Sequence, residues 1–171
     1  MPNSFDDYKI QIRHFFKKSV PKGTNILDVG PGKGTYWHLL QNLGYKMDCV
    51  EIFKPYIEEY KLKEKYDNVY LDNIINFDIT KYELIILGDI LEHLSVDDAH
   101  IILNKINKNN QKCIIAVPYL SEQEADGGNH YQIHLQPDLT PELMLQRYPS
   151  LKLLIGNKRY GYYINKFKKA V

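Results

Sequence analysis

The chain has 171 residues, enough for a three-layer core but short for such a core plus a second domain, so a single domain over 1–171 is predicted. Its 22 basic and 21 acidic residues leave a net charge of +1, which gives no general electrostatic case for binding nucleic acid or an anionic membrane. Cys49 and Cys113 sit in apolar runs rather than in a metal-type pair, and no leader-like or membrane-length stretch is seen. Buried reduced thiols and a cytoplasmic location are the expectation.

Residues 4–18 place Phe5, Tyr8, Ile12, Phe15 and Phe16 on one helical face, with Ser4 as N-cap, and Pro21-Lys22-Gly23 closes this N-terminal helical region, 1–20. A buried strand over 26–29 runs into Gly30-Pro31-Gly32-Lys33-Gly34, and a helix over 35–43 follows, ending near Gly44. Next come a strand over 46–52, a helix over 55–65 with a proline in its first turn, and a short strand over 69–72. A strand over 82–88 carries the apolar core Leu84-Ile85-Ile86-Leu87; a helix over 96–106 is capped by Ser95, and a strand over 112–117 stops at Pro118. After a turn-rich stretch, a short helix over 140–147 has Pro141 at its first position, and strands over 151–155 and 160–167 flank Gly156-Asn157-Lys158-Arg159 as an antiparallel hairpin. Such alternation predicts an α/β, doubly wound, mostly parallel sheet.

The glycine run is the first functional signal. A loop of this kind brings backbone N–H groups and a helix N-terminus to the carboxyl end of a strand, where open α/β sheets bind ligands. A dinucleotide fingerprint would place its third glycine at position 35, where Thr35 stands, and Lys33 lacks the Lys-Ser/Thr ending of a P-loop. Glu51 ends the next apolar run and is placed to accept two ribose hydroxyls. With Asp28-Val29-Gly30-Pro31-Gly32-Lys33-Gly34 and Glu51 in order, the chain resembles the class I (Rossmann-like) S-adenosylmethionine-dependent methyltransferases of the small-molecule type.

That resemblance covers nearly the whole chain. It implies a seven-stranded sheet ordered third, second, first, fourth, fifth, seventh, sixth, and S-adenosyl-L-methionine as cofactor, with S-adenosyl-L-homocysteine as product. It also implies that Gly30, Gly32 and Gly34 pass the methionine and ribose portion, with Asp28 orienting the loop or the cofactor's ammonium. Glu51 would hold the ribose and Ile52 would pack on adenine. Asp72 would accept from the adenine amino group, and the Asn73 backbone would meet a ring nitrogen. Gly88 and Asp89 would line the methionine end. The residues also admit plainer readings: Asp28 and Glu51 as helix-capping acids, and Asp72 as a loop acid.

The acceptor side is less defined. Gly88-Asp89-Ile90-Leu91-Glu92-His93-Leu94 resembles the family's segment after the fourth strand. Glu92 and His93 are read there as fixing the loop against the next helix, in preference to His93 as a base. The Asp/Asn-Pro-Pro-aromatic motif of base-amino methylation and the Pro-Cys of cytosine methylation are both absent, which argues against DNA. The segment 118–141 reads as a lid or substrate clamp, inside a stretch (113–146) without Lys or Arg. His134, ahead of Thr140-Pro141-Glu142, resembles a histidine of small-molecule and sugar-tailoring enzymes. It is the first candidate for general base or substrate contact, with His130 second and Tyr119 and Tyr131 as substrate contacts. His130 and His134 have metal-pair spacing only on a helix, which the flanking glycines and Gln136-Pro137 disfavour, so no metal is expected.

Lys152, Lys158, Arg159, Lys166, Lys168 and Lys169 read as the solvated face of an edge hairpin rather than an RNA site. The expectation is therefore S-adenosylmethionine-dependent methyl transfer to an oxygen or nitrogen of a small-molecule acceptor. The alternatives are a non-catalytic member of the fold that binds cofactor or a partner protein, and a nicotinamide-dependent oxidoreductase, which Thr35 disfavours.

Overall fold

The computed structural model describes residues 6–166. Strands β1 (Asn25–Val29), β2 (Lys46–Glu51), β3 (Val69–Leu71), β4 (Leu84–Gly88) and β5 (Lys112–Pro118) pair in parallel, and β6 (Leu151–Gly156) and β7 (Tyr160–Asn165) close the sheet antiparallel. The order is β3-β2-β1-β4-β5-β7-β6, the one that the resemblance implies. The apolar runs of the central strands are continuous because both sheet faces are covered. Alternate residues feed two separate cores. Leu27, Val29, Ile85, Leu87, Ile115 and Val117 face one; Ile26, Leu84, Ile86, Ile114 and Ala116 face the other.

Helices α1 (Lys9–Ser19), α2 (Thr35–Leu40) and α3 (Lys54–Glu59) cover the second face through Ile12, Phe16, Tyr36, Leu40 and Ile57. Helices α4 (Val96–Lys108) and α5 (Pro141–Arg147) cover the first through Ala99, Ile102, Leu103, Ile106 and Met144. Ser95 caps α4 as expected, its Oγ accepting from the Asp98 N–H, and Thr140 caps α5, its Oγ1 accepting from the Leu143 N–H, each at 3.1 Å. Both cysteines are free and buried, and burial pushes their thiols well up from the ordinary value. No helix among the described residues is long and apolar enough to cross a membrane.

Several boundaries differ from the sequence reading. Helix α1 begins at Lys9, after Tyr8 at φ 60°; the expected cap Ser4, with Phe5, lies outside the described residues, as do Phe167, Lys168 and Lys169. The helix expected over 35–43 ends at Leu40, since Asn42 takes φ 68°. The helix expected over 55–65 is split by Lys61 at φ 49° into α3 and one 3-10 turn, Leu62–Glu64. The strand expected from 82 starts at Leu84, because Tyr82 is held in a turn. Its N–H bonds the Ile79 carbonyl, and its hydroxyl donates to Asp48 at 2.8 Å.

Candidate functional site

One cavity of about 350 Å³ opens at the carboxyl ends of β1, β2, β3, β4 and β5. The β1 loop reaches it because Gly30 and Gly32 take φ 56° and 51°, a region that side chains rarely adopt. Gly30 N–H donates to the Val50 carbonyl at 2.8 Å, which ties the loop to the end of β2. Gly88 ends β4 on the cavity floor; a Cβ there would stand 2.0 Å from the Tyr36 ring.

The expected cofactor residues separate into two groups. Gly30, Gly32, Glu51, Ile52, Asp72, Asn73, Gly88 and Asp89 line the cavity. Asp28 and Gly34 do not. Asp28 lies behind the loop, accepting from the Tyr66 hydroxyl at 2.6 Å, and burial raises its carboxyl to about 7. It is neither a helix cap nor a cavity wall. Gly34 is the left-handed residue that starts α2, at φ 83°, and it faces the Lys65 side chain. The turn needs all three glycines for its path, but only the first two pass the ligand space.

Glu51 is buried at the end of β2, where one carboxylate oxygen accepts from the Phe53 N–H at 2.8 Å. Burial raises it to about 7 against these backbone donors. Asp72 and Asn73 use side-chain oxygens on nearby backbone, at Asn73 N–H and Ile75 N–H, which fixes the loop after β3. Asp89, at φ 55°, accepts from the Tyr160 hydroxyl of β7 at 2.6 Å.

At the other end, Glu92, His93 and His134 meet. They come from the turn after β4 and from the 118–141 segment. That segment is an anchored flap rather than a free lid. Leu120 N–H bonds the Leu139 carbonyl, and His134 N–H bonds that of Gln123, so its two legs pair. The Leu135 and Gln136 N–H groups both donate to the Glu92 carbonyl, at 2.8 and 3.0 Å. The Gln136 amide is buried, donates to the Leu91 and Leu94 carbonyls, and accepts from the Tyr148 hydroxyl. At the tip, Gly127 and Gly128 stand in open space at positive φ.

The acceptor candidates also divide. His134 and Tyr131 line the cavity, Tyr131 at its rim with 53% exposure. His130 is exposed on the flap and stands off the cavity. Tyr119 is a core residue: β5 has just ended, and its hydroxyl meets that of Tyr163 at 2.5 Å. Alternation along the chain turns Tyr119 into the same core as Cys113, Ile115 and Val117, off the cavity. Glu92 and His93, read from the sequence as fixing the loop, both line the cavity as well. His93 Nδ1 lies 3.1 Å from the Ile133 carbonyl, and burial pushes its ring down to about 4, so it is neutral. Glu92 is 1% exposed, and neither carboxylate oxygen has a hydrogen-bond partner among the described residues. Burial, with the charge of Asp89 behind it, holds Glu92 well above the usual carboxylate range. The sequence signal was the Leu-Glu-His triplet itself; missing was the fact that His134 folds back onto it.

No protein-family model and no curated protein matches the chain in sequence. Solved structures match it in fold. An S-adenosylmethionine-dependent methyltransferase from Clostridium acetobutylicum aligns with TM-score 0.69 and 13% identity, over 97% of this chain and 93% of that one. This is the class I methyltransferase fold. A TehB-like SAM-dependent methyltransferase from Corynebacterium glutamicum shares the fold at TM-score 0.65 and 15% identity, over 95% of this chain and 89% of its own. So does the Burkholderia thailandensis 1,6-didemethyltoxoflavin-N1-methyltransferase, solved with 1,6-didemethyltoxoflavin and S-adenosylhomocysteine bound. Its TM-score is 0.62 at 15% identity, over 96% of this chain and 80% of that one. In the methyltransferase fold, the cavity lies where the strand ends converge, beneath the flap.

Proposed function

We propose that this protein transfers a methyl group from S-adenosylmethionine to a small-molecule acceptor, at an oxygen or nitrogen. The observation that carries this reading is a single cavity with two unlike ends. One has an acidic strand end and glycine backbone; the other has two histidines under a flap. When bound, S-adenosylmethionine supplies a methyl group on a positively charged sulfonium. Glu51 accepts from the ribose hydroxyls, and Ile52 packs beside adenine. Asp72 and the Asn73 backbone meet the adenine edge. Gly30 and Gly32 let the methionine portion lie against backbone, with Gly88 and Asp89 at its far end. Pro118, Tyr131 and Leu135 wall the reacting region from water, so that orientation supplies much of the rate.

His134 faces the acceptor with a ring whose Nδ1 is engaged by the Ser121 carbonyl at 2.6 Å. The remaining Nε2 lone pair is available to the acceptor's side. No Lys or Arg lies between residues 113 and 146, so this wall offers no cation to a polyanionic substrate.

The test is calorimetric titration with S-adenosylmethionine and S-adenosylhomocysteine, followed by methyl-transfer assays on hydroxyl- and amine-bearing acceptors. Micromolar binding of both, with transfer to at least one acceptor, supports the reading. Binding without transfer to any acceptor turns it toward a non-catalytic role, and no binding by folded protein overturns it.

A further inference from the structure

We propose that Glu92, His93 and His134 bind one divalent transition-metal ion, whose open positions take a hydroxyl oxygen of the acceptor. One donor atom from each residue lies within 4.8 Å of the other two, at the end of the cavity away from Glu51. Ligand atoms on one ion at about 2.0–2.2 Å stand roughly 3–3.5 Å apart, so side-chain rotation of about an ångström would close the set.

The arrangement behind these atoms is the one that a metal site requires. His93 Nδ1 sits 3.1 Å from the Ile133 carbonyl and His134 Nδ1 sits 2.6 Å from the Ser121 carbonyl. A carbonyl can only accept, so each Nδ1 carries the proton and donates it. In a neutral ring Nε2 is then a bare lone pair, held in a fixed direction by an outer hydrogen bond, as ligating histidines are. The two rings lie edge to face with centroids 4.7 Å apart.

Glu92 is the second, independent observation. The residue is 1% exposed, lines the cavity, and has no hydrogen-bond partner on either carboxylate oxygen among the described residues. Burying such a group without a donor or cation is costly, and an ion at this point removes the cost. Two imidazoles and one carboxylate suit manganese, iron, cobalt or zinc, and leave positions open. They supply too few oxygens for a calcium cage.

The ion site stands on this geometry alone, while the acceptor assignment rests on the methyl-transfer reading. An acceptor hydroxyl on the ion loses its proton to water more readily than a free one. An oxygen lone pair then forms the bond to the methyl carbon as the carbon–sulfur bond breaks. That bond's electron pair stays on sulfur, giving the neutral thioether S-adenosylhomocysteine. The metal thereby does the work otherwise assigned to His134 as a base.

The experiment is Co²⁺ titration of chelator-treated, dialysed protein, followed by visible d–d absorption, with Mn²⁺ paramagnetic resonance as a second probe. One saturable equivalent per chain is expected. Glu92→Gln and His134→Asn should each weaken Co²⁺ binding by about tenfold or more, since losing a ligand costs at least what losing an outer-shell partner does. His134 lies on the flap, so its variant keeps the test alive if Glu92→Gln fails to fold. His130→Ala, off the cavity, should bind as the parent does. The absence of saturable Co²⁺ and Mn²⁺ binding, or unchanged affinity in both ligand variants while S-adenosylhomocysteine still binds, overturns the site. Co²⁺ binding without S-adenosylhomocysteine binding keeps the ion site and overturns the acceptor assignment together with the methyl-transfer reading.

Discussion

At the β1–β2 end of the cavity, Gly30, Gly32 and the strand-end acid Glu51 come from two short loops tied together by the bond from Gly30 to Val50. The β4–β5 end is built differently. Glu92, His93 and His134 meet only because the 118–141 flap folds back and bonds the Glu92 carbonyl. The first end depends on local conformation, and the second on contacts between segments far apart in the chain. The first should therefore fail through steric intrusion, and the second through loss of anchoring.

The largest effect is expected at the floor that both ends share. Gly88→Val would put side-chain atoms into the Tyr36 ring, with even the Cβ at 2.0 Å. The cost is about 3 kcal/mol, the upper end for overpacking, read as a lower urea midpoint. Gly32→Val should leave folding nearer intact but abolish S-adenosylhomocysteine binding in calorimetry, because φ 51° disfavours valine and its side chain enters the cavity.

Next is Glu51→Ala, which should weaken S-adenosylhomocysteine by about 1–3 kcal/mol through the hydroxyls left without an acceptor. Unchanged affinity would remove Glu51 from the ribose role. The same carboxyl predicts a pH dependence. Its ordinary value is 4.5 and burial lifts it to about 7, so over that interval the unfolded chain has lost a proton that the ligand-free folded protein keeps. Ligand-free stability should therefore fall as pH rises from 4.5 to about 7 and level off above. Asp28, also raised to about 7, adds to the same trend. Ribose hydroxyls favour the ionised carboxylate, so S-adenosylhomocysteine affinity should climb as pH rises toward about 7 and level off above, with proton release below that pH that Glu51→Gln removes.

Smaller effects belong to the flap. Gln136→Ala removes bonds to the Leu91 and Leu94 carbonyls and strands the Tyr148 hydroxyl. It should cost about 1–2 kcal/mol in stability and raise the acceptor KM more than the S-adenosylhomocysteine Kd. An equal rise in both would mean that the two ends are not separable. His130→Ala should change stability by less than about 0.5 kcal/mol and leave both ligands unaffected, as an exposed residue off the cavity.

The same contrast accounts for what the sequence revealed. The strand order followed from the resemblance, and the central strands were legible because burial on both faces leaves unbroken apolar runs such as Leu84-Ile85-Ile86-Leu87. Glu51 and the first two glycines could be placed because their geometry is set within a few residues. Gly34 and Asp28 show the limit of that logic, since a motif gives a loop its path without saying which of its members line the cavity. Helix ends at Leu40 and Glu59 were missed because Asn42 and Lys61 adopt left-handed backbone that their residue types announce only weakly. Partnership between Glu92, His93 and His134 has no periodic signature; it is made by carbonyls of Ile133, Ser121 and Glu92, and every residue type has one.

The anchoring of Gln136 also orders events in time. Its amide satisfies the carbonyl of Leu91, a residue 45 positions earlier, and helix α4 and strand β5 lie between them. Closing so long a loop is slow compared with pairing β1 and β2 or forming α4. The acceptor end should thus be the last part of the cavity to mature during refolding, and S-adenosylhomocysteine should slow hydrogen exchange at Gly30 before the amides of Leu135 and Gln136 become protected.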